Sequence, residues 1–302
     1  MTSITDDQTR AIGRVLNDPN RPLKERFRAL FTLRNIGGDI AQECIKQCFS
    51  DPSALLKHEL AYCLGQMQDQ AAIPTLMAVL RDMSQEPMVR HEAGEALGAL
   101  AAPNVRAVLE EFKNDPVVEV AETCTLALDR LAWLEKHEKD DGRSQNPYLS
   151  VDPTPPSDET DVAKLRDALL NEKESLFNRY RAMFALRNLR TPEAVLALAD
   201  GLKSGSALFK HEVAFVLGQL QHPVSVPALL ESLADKSENE MVRHECAEAL
   251  GSIASDECNQ GLKEHLNDEK RVVSESCIIA LDMCEYENSP EFQYANTLLS
   301  VQ

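Results

Sequence analysis

Long hydrophobic runs are missing from this 302-residue chain. None approaches the roughly 18 consecutive apolar residues that suggest a membrane span. The start, MTSITDDQTRAIGRVL, lacks the basic-then-apolar pattern of a secretory signal. Positive charge is scarce too: 31 Lys and Arg stand against 49 Asp and Glu, a net charge of −18. Nucleic-acid phosphates and anionic membrane surfaces both need a cationic face, so neither is an expected partner. The eight cysteines form no C-x-x-C pair and no zinc-ribbon spacing, which excludes a disulfide scaffold. Cys44, Cys48, Cys63, Cys124, Cys246, Cys258, Cys277 and Cys284 mostly sit in apolar stretches and read as small core residues. A redox role is the alternative. The apolar–polar alternation of half-buried strands is absent as well. What remains is a soluble, acidic, all-α chain suited to the reducing cytoplasm or nucleus, with 43% hydrophobic residues to build a core.

The strongest positive signal is repetition. SALLKHELAYCLGQMQ at Ser53 matches SALFKHEVAFVLGQLQ at Ser206, and PMVRHEAGEALG at Pro87 matches EMVRHECAEALG at Glu240. RFRALFTLRN at Arg26 matches RYRAMFALRN at Arg179. Every offset is 153, and from Arg26 to Gly98 the ungapped register gives 33 identities in 73 positions. The chain is a tandem duplication. Each half carries a shorter period, with Leu33, Leu64, Leu97 and Leu128 separated by 31, 33 and 31 residues. Two helices and two turns fit that length. Leu56, Leu60, Cys63, Leu64 and Met67 form an apolar stripe at helical spacing, and Val89, Ala93, Ala96, Leu97 and Leu100 repeat it. Pro74 and Pro227 fit near helix starts, where a missing N–H costs little. The expected fold is an α-solenoid of eight HEAT-type helical hairpins, four per half. The halves span residues 1–134 and 160–302. Residues 135–159 between them are rich in proline and charge and read as an extended linker that lets one half face the other.

Four of the seven histidines precede a glutamate: His58-Glu59, His91-Glu92, His211-Glu212 and His244-Glu245. They occupy one register, in repeats two and three of each half. The flanking repeats carry Phe27-Arg28 and Glu122-Thr123 there instead. Duplication explains two of the four pairs, which leaves two independent coincidences. His58 lies about 200° around the helix from the core residue Leu60, so it points away from the stripe. The small residues Ala61, Gly94, Ala214 and Ala247 follow three positions on and leave an open face with room in front of the imidazoles. The preceding Lys57, Arg90, Lys210 and Arg243 offer another reading, a salt-bridged surface. Four imidazoles and four carboxylates suit two hard-to-borderline divalent metals. Structural zinc prefers thiolates and calcium avoids imidazole. Two His and one Glu per metal is the ligand chemistry of oxygen-activating ferrous sites, and spacing alone does not separate iron from manganese or zinc. Glu95 and Glu248 follow His91 and His244 by four positions, on the same helix face. They are expected to accept from a ligand histidine's other N–H, the alternative being solvated helix carboxylates.

These motifs, with the linker sequence NPYLSVDPTPP, closely resemble deoxyhypusine hydroxylase over essentially the whole chain, and all four His-Glu pairs are present. The resemblance implies a monooxygenase with two Fe(II) ions and molecular oxygen. Its implied substrate is the deoxyhypusine side chain of a eukaryotic translation factor, on a basic loop. It implies that His58, His91 and Glu92 bind one iron, that His211, His244 and Glu245 bind the other, and that Glu59 and Glu212 hold the substrate's amines. A separate electron donor and a monomeric enzyme are expected. The alternatives are a metal-free HEAT scaffold for a basic protein partner and a phycobilin-lyase-like protein.

Overall fold

Proline begins helices where the repeat pattern expects it, and serine caps others. Ser53 and Ser206 cap the helices that carry the first His-Glu pair of each half, accepting from Leu56 N at 3.1 Å and Phe209 N at 3.3 Å. Pro74 and Pro227 sit in the first turn of their helices. A computed structural model describes residues 4–137 and 148–299. The described residues form sixteen α-helices and no strand. The first half contains α1 (Asp6–Leu16), α2 (Leu23–Ile36), α3 (Gly38–Gln47), α4 (Ala54–Gln66), α5 (Ile73–Arg81), α6 (Pro87–Leu100), α7 (Arg106–Phe112) and α8 (Val118–Lys136). The second contains α9 (Val162–Leu170), α10 (Leu176–Leu189), α11 (Pro192–Asp200), α12 (Ala207–Leu220), α13 (Val226–Ala234), α14 (Glu240–Ile253), α15 (Asp256–Glu264) and α16 (Arg271–Glu287). Each odd-numbered helix packs on the next, which makes eight hairpins. Helix α8 continues two residues past the expected end of the first half at 134.

Two devices in the sequence set the stacking. The even-numbered helices form the inner layer and meet at glycine and alanine. A Cβ on Gly65 would lie 2.8 Å from Ala96 Cβ, and one on Gly251 would lie 2.7 Å from Ala280 Cα. Gly98 against Ala127 and Gly218 against Ala249 repeat the contact. The second device is a buried arginine. Arg26, Arg90, Arg179 and Arg243 donate from Nε to the carbonyls of Leu16, Leu80, Leu169 and Leu233, each ten residues back. This ties an inner helix to the end of its outer partner. Three of the four also pair with an aspartate 25 residues on: Asp51, Asp115 and Asp268. Ser204 occupies that place for Arg179, which instead stacks over Phe209 at 3.8 Å.

The two four-hairpin units close on each other head to tail. Helix α8 packs on α10 and α12, and α16 packs on α2 and α4. These contacts are equivalent under the 153-residue offset, so the halves are related by a pseudo-twofold. Ser53 Oγ donates to Glu275 at 2.7 Å across one contact, and Glu122 faces Ser206 across the other. Their fine structure differs. Arg28 pairs with Asp282 at 2.8 Å and with Glu291 at 2.8 Å, whereas its counterpart Arg181 donates to the linker carbonyl of Pro156 at 3.3 Å.

The part of the expected linker at 138–147 lies outside the described residues. Residues 148–160 contain no helix but are packed: Asp152 and Thr154 are buried. Asp152 accepts from Arg187 Nη1 and Nη2 at 3.0 and 2.7 Å. Val151 exchanges main-chain hydrogen bonds with the Gln66 amide.

Candidate metal centre

The inner helices α4, α6, α12 and α14 each bring one His-Glu pair to the space between the halves. His58, His91, His211 and His244 are at most 5% exposed. The register places them off the core stripe, as expected. The opposite half covers the face in front of them, so the room expected there is a cavity between the halves rather than an open surface. The four rings form one cluster with centroids 5.2–5.7 Å apart, and most of these contacts cross between halves. Of the eight ring nitrogens, His58 Nδ1 bonds Glu59 at 3.3 Å, and His58 Nε2 and His211 Nε2 face Glu92 and Glu245 at 3.2 and 3.3 Å; the others have no hydrogen-bond partner. Five buried imidazole nitrogens without hydrogen-bond partners would be costly in a merely structural cluster.

The basic residues beside the histidines turn away from that centre. Arg90 and Arg243 serve the stacking pairs with Asp115 and Asp268. Lys57 donates to Gln85 and Glu86, each at 2.7 Å, and Lys210 pairs with Glu238. The salt-bridged surface is therefore not formed with the His-Glu carboxylates. Burial pushes His91 and His244 well below the usual imidazole value, and the neighbouring histidines add to it. Both stay neutral, the state a metal requires. Burial also lowers His58, but Glu92 and Glu59 outweigh it and hold that ring well above the usual value. Burial raises the carboxyls of Glu59, Glu95, Glu212 and Glu248, and crowding by other carboxylates adds to it. A centre this acidic calls for cations.

Two donor groups converge within 4.8 Å: His58, His91 and Glu92, and His58, His211 and His244. The first is one complete predicted set. In the second set, His211 Nε2 lies 3.3 Å from Glu245 Oε2. His58 joins both groups, so the two sets touch. His244 Nδ1 is 3.6 Å from Glu248, too far for a hydrogen bond, and neither His244 Nδ1 nor His91 Nδ1 has a hydrogen-bond partner. Glu59, Glu212, Glu95 and Glu248 line a cavity of about 310 Å³ in front of the histidines. Phe31, Gln219 and Met283 also line it. Sequence reading missed these three because nothing in their local pattern separates them from core or surface positions. Tyr62 and Phe215 form an edge-to-face pair there, with centroids 6.0 Å apart. The cysteines lie elsewhere. All eight are buried and free, and burial pushes Cys48 and Cys124 up to about 11 and about 12, which fits core residues rather than redox groups.

The fold and site together define a duplicated HEAT-repeat protein that encloses a histidine–carboxylate centre between its halves. Comparison with known proteins agrees: the model described as HEAT repeats matches residues 41–129 and 197–282, more than half of the chain. One described as PBS lyase HEAT-like repeat matches residues 179–204. Deoxyhypusine hydroxylase of Drosophila melanogaster is 64% identical, over 98% of this chain and 97% of its own. The Homo sapiens protein of that name is 60% identical, over 98% and 97%. The solved structure of human deoxyhypusine hydroxylase in complex with glycerol superposes with a TM-score of 0.91, covering 93% of this chain and 97% of that one. The chain belongs to the deoxyhypusine hydroxylase family.

Proposed function

We propose that this protein is the iron-dependent monooxygenase that hydroxylates the deoxyhypusine side chain of a eukaryotic translation factor. The observation that carries the reading is the buried cluster of four imidazoles, with Glu92 3.2 Å from His58 Nε2 and Glu245 3.3 Å from His211 Nε2. Neutral imidazole and carboxylate fit iron(II). His58, His91 and Glu92 would hold one ion, and His211, His244 and Glu245 the other, with His58 lying where the two groups meet. Bound iron supplies oxygen activation, and an external donor supplies the electrons that reduce the second oxygen atom to water.

The chain's own residues then do three things. Glu59 and Glu212 line the cavity and stand one residue from ligand histidines, where they hold the amines of a long cationic side chain by charge-assisted hydrogen bonds. Gripping those amines sets which methylene lies closest to the metal centre. The opposed halves exclude bulk water, which strengthens each of these polar contacts. Glu248, which approaches His244 Nδ1 at 3.6 Å, and Glu95, at the equivalent place on α6, would orient those rings by accepting from the N–H turned away from a bound metal. The site is formed within one chain, which supports a monomer as the working unit. No helix among the described residues is long and apolar enough to cross a membrane, and the acidic surface favours a basic substrate loop.

The test is product analysis. Iron-loaded protein is given oxygen, a reductant and a deoxyhypusine-containing peptide, and the peptide's mass is followed. The expected result is gain of one oxygen atom, abolished by chelation. Iron-replete, folded protein that leaves the peptide unchanged would overturn the proposal.

A further inference from the structure

The pseudo-twofold gives the buried centre two equivalent approaches, and the chain treats them differently. One runs between α16 and α2, the other between α8 and α10. On the α16–α2 side a second cavity of about 330 Å³ shares Phe31, Glu59, Glu248 and Met283 with the cavity at the histidines. Glu59 and Glu248 therefore stand where the two spaces meet. Tyr286 and Tyr294 line the outer part. An aromatic passage that ends on two carboxylates suits an alkyl chain bearing ammonium groups.

On the α8–α10 side the same place is filled. Arg130 stands where Met283 stands on the other side, 153 residues away, and Arg187 stands where Arg34 does. Arg130 donates to the carbonyls of Gly98 at 3.0 Å and Asp152 at 3.2 Å. Arg187, fully buried, grips the Asp152 carboxylate. Val151 and Pro153 then occupy the groove beside Glu95, and only about 10 Å³ remains there.

We infer that the linker segment 150–156 plugs one of two equivalent entrances, so that of the two it is the one between α2 and α16 that admits the substrate side chain, past Met283, Tyr286 and Tyr294, to Glu59 and Glu248. The inference rests on the proposed hydroxylase reading and adds a direction to it. A centre with near-twofold donors receives its substrate from one side. Its glutamates are therefore unequal: Glu59 and Glu248 meet the side chain first, and Glu212 and Glu95 lie beyond.

All eight native cysteines are buried, so a new surface cysteine can be labelled selectively. Gln293 is an exposed residue that lines the open passage, and Leu149 is an exposed residue beside the plug. Gln293→Cys and Leu149→Cys are each reacted with a bulky maleimide. Iron content and affinity for a deoxyhypusine-containing peptide are measured before and after. Labelled Gln293→Cys is expected to lose at least tenfold in affinity with iron unchanged, while labelled Leu149→Cys stays within about twofold. A companion variant, Met283→Arg, installs the residue of the sealed side and should weaken peptide binding in the same way. Loss of binding on labelling Leu149→Cys, or unchanged binding in both labelled Gln293→Cys and Met283→Arg, would overturn the inference. The unlabelled parent separates this from the underlying function: a parent that ignores the peptide refutes the hydroxylase reading itself.

Discussion

Asp152→Ala is a direct test of how the plug is held. Arg187 is fully buried, and two of its hydrogen bonds, at 3.0 and 2.7 Å, go to Asp152. Removing the carboxylate leaves a guanidinium in the interior with Gln219 Oε1 at 2.9 Å, Asn188 Oδ1 at 3.2 Å and the faces of Phe184 and Tyr148 as its remaining partners. Breaking a buried ion pair costs roughly 3–5 kcal/mol, because the surviving charge stays desolvated. Gln219 and the rings offset part of that, so about 3 kcal/mol is expected. In a chain of this size that lowers Tm by roughly 5–10 °C. Removing both charges in Asp152→Leu/Arg187→Met should recover most of the loss, since no uncompensated charge remains. Thermal and urea unfolding, followed by circular dichroism, compare the parent, Asp152→Ala and the double variant. An Asp152→Ala variant within about 0.5 kcal/mol of the parent would mean that the linker segment is not docked on Arg187 in solution.

Further outcomes separate the roles of neighbouring residues. Glu59→Ala and Glu212→Ala should keep most of the iron and lose substrate affinity, because these carboxylates face the cavity; loss of all metal in both would make them ligands instead. Acid should unfold the protein partly through the stacking pairs. Hydrogen bonds from Arg243 hold Asp268 down at about 2, below its unfolded value of about 3.9. The pair's contribution is thus complete above about pH 4 and is lost as pH falls toward about 2. Melting curves across that window should show Asp268→Asn, already lacking the charge, falling less steeply than the parent. Equal slopes would count against the pair.

Much of this architecture is legible locally. The helix period and the proline starts act within a few residues and appear where the pattern puts them, and the duplication is read by aligning the two halves. The His-Glu register is equally local, which is why all four pairs reach the same space. What the local pattern misreads is depth. His58 and its equivalents look open because Ala61 and its counterparts are small, yet the cover comes from the other half of the chain. The linker shows the same limit. Its prolines and charges suggest solvation, but Asp152 finds Arg187 35 residues away and the segment is packed. The difference between Arg130 and Met283 is visible in the repeat alignment, but its meaning needs the closed ring. Nothing local marks either residue as the wall of a passage.

The central claim is that the two halves jointly hold a metal centre, and metal analysis tests it most directly. The purified full-length chain, loaded with iron(II) and freed of excess, should retain about two irons per chain. His58→Ala and His244→Ala, one from each half, should each lose metal while remaining folded by circular dichroism. An intact chain that holds no iron tightly, or equal iron in parent and both histidine variants, would contradict the account.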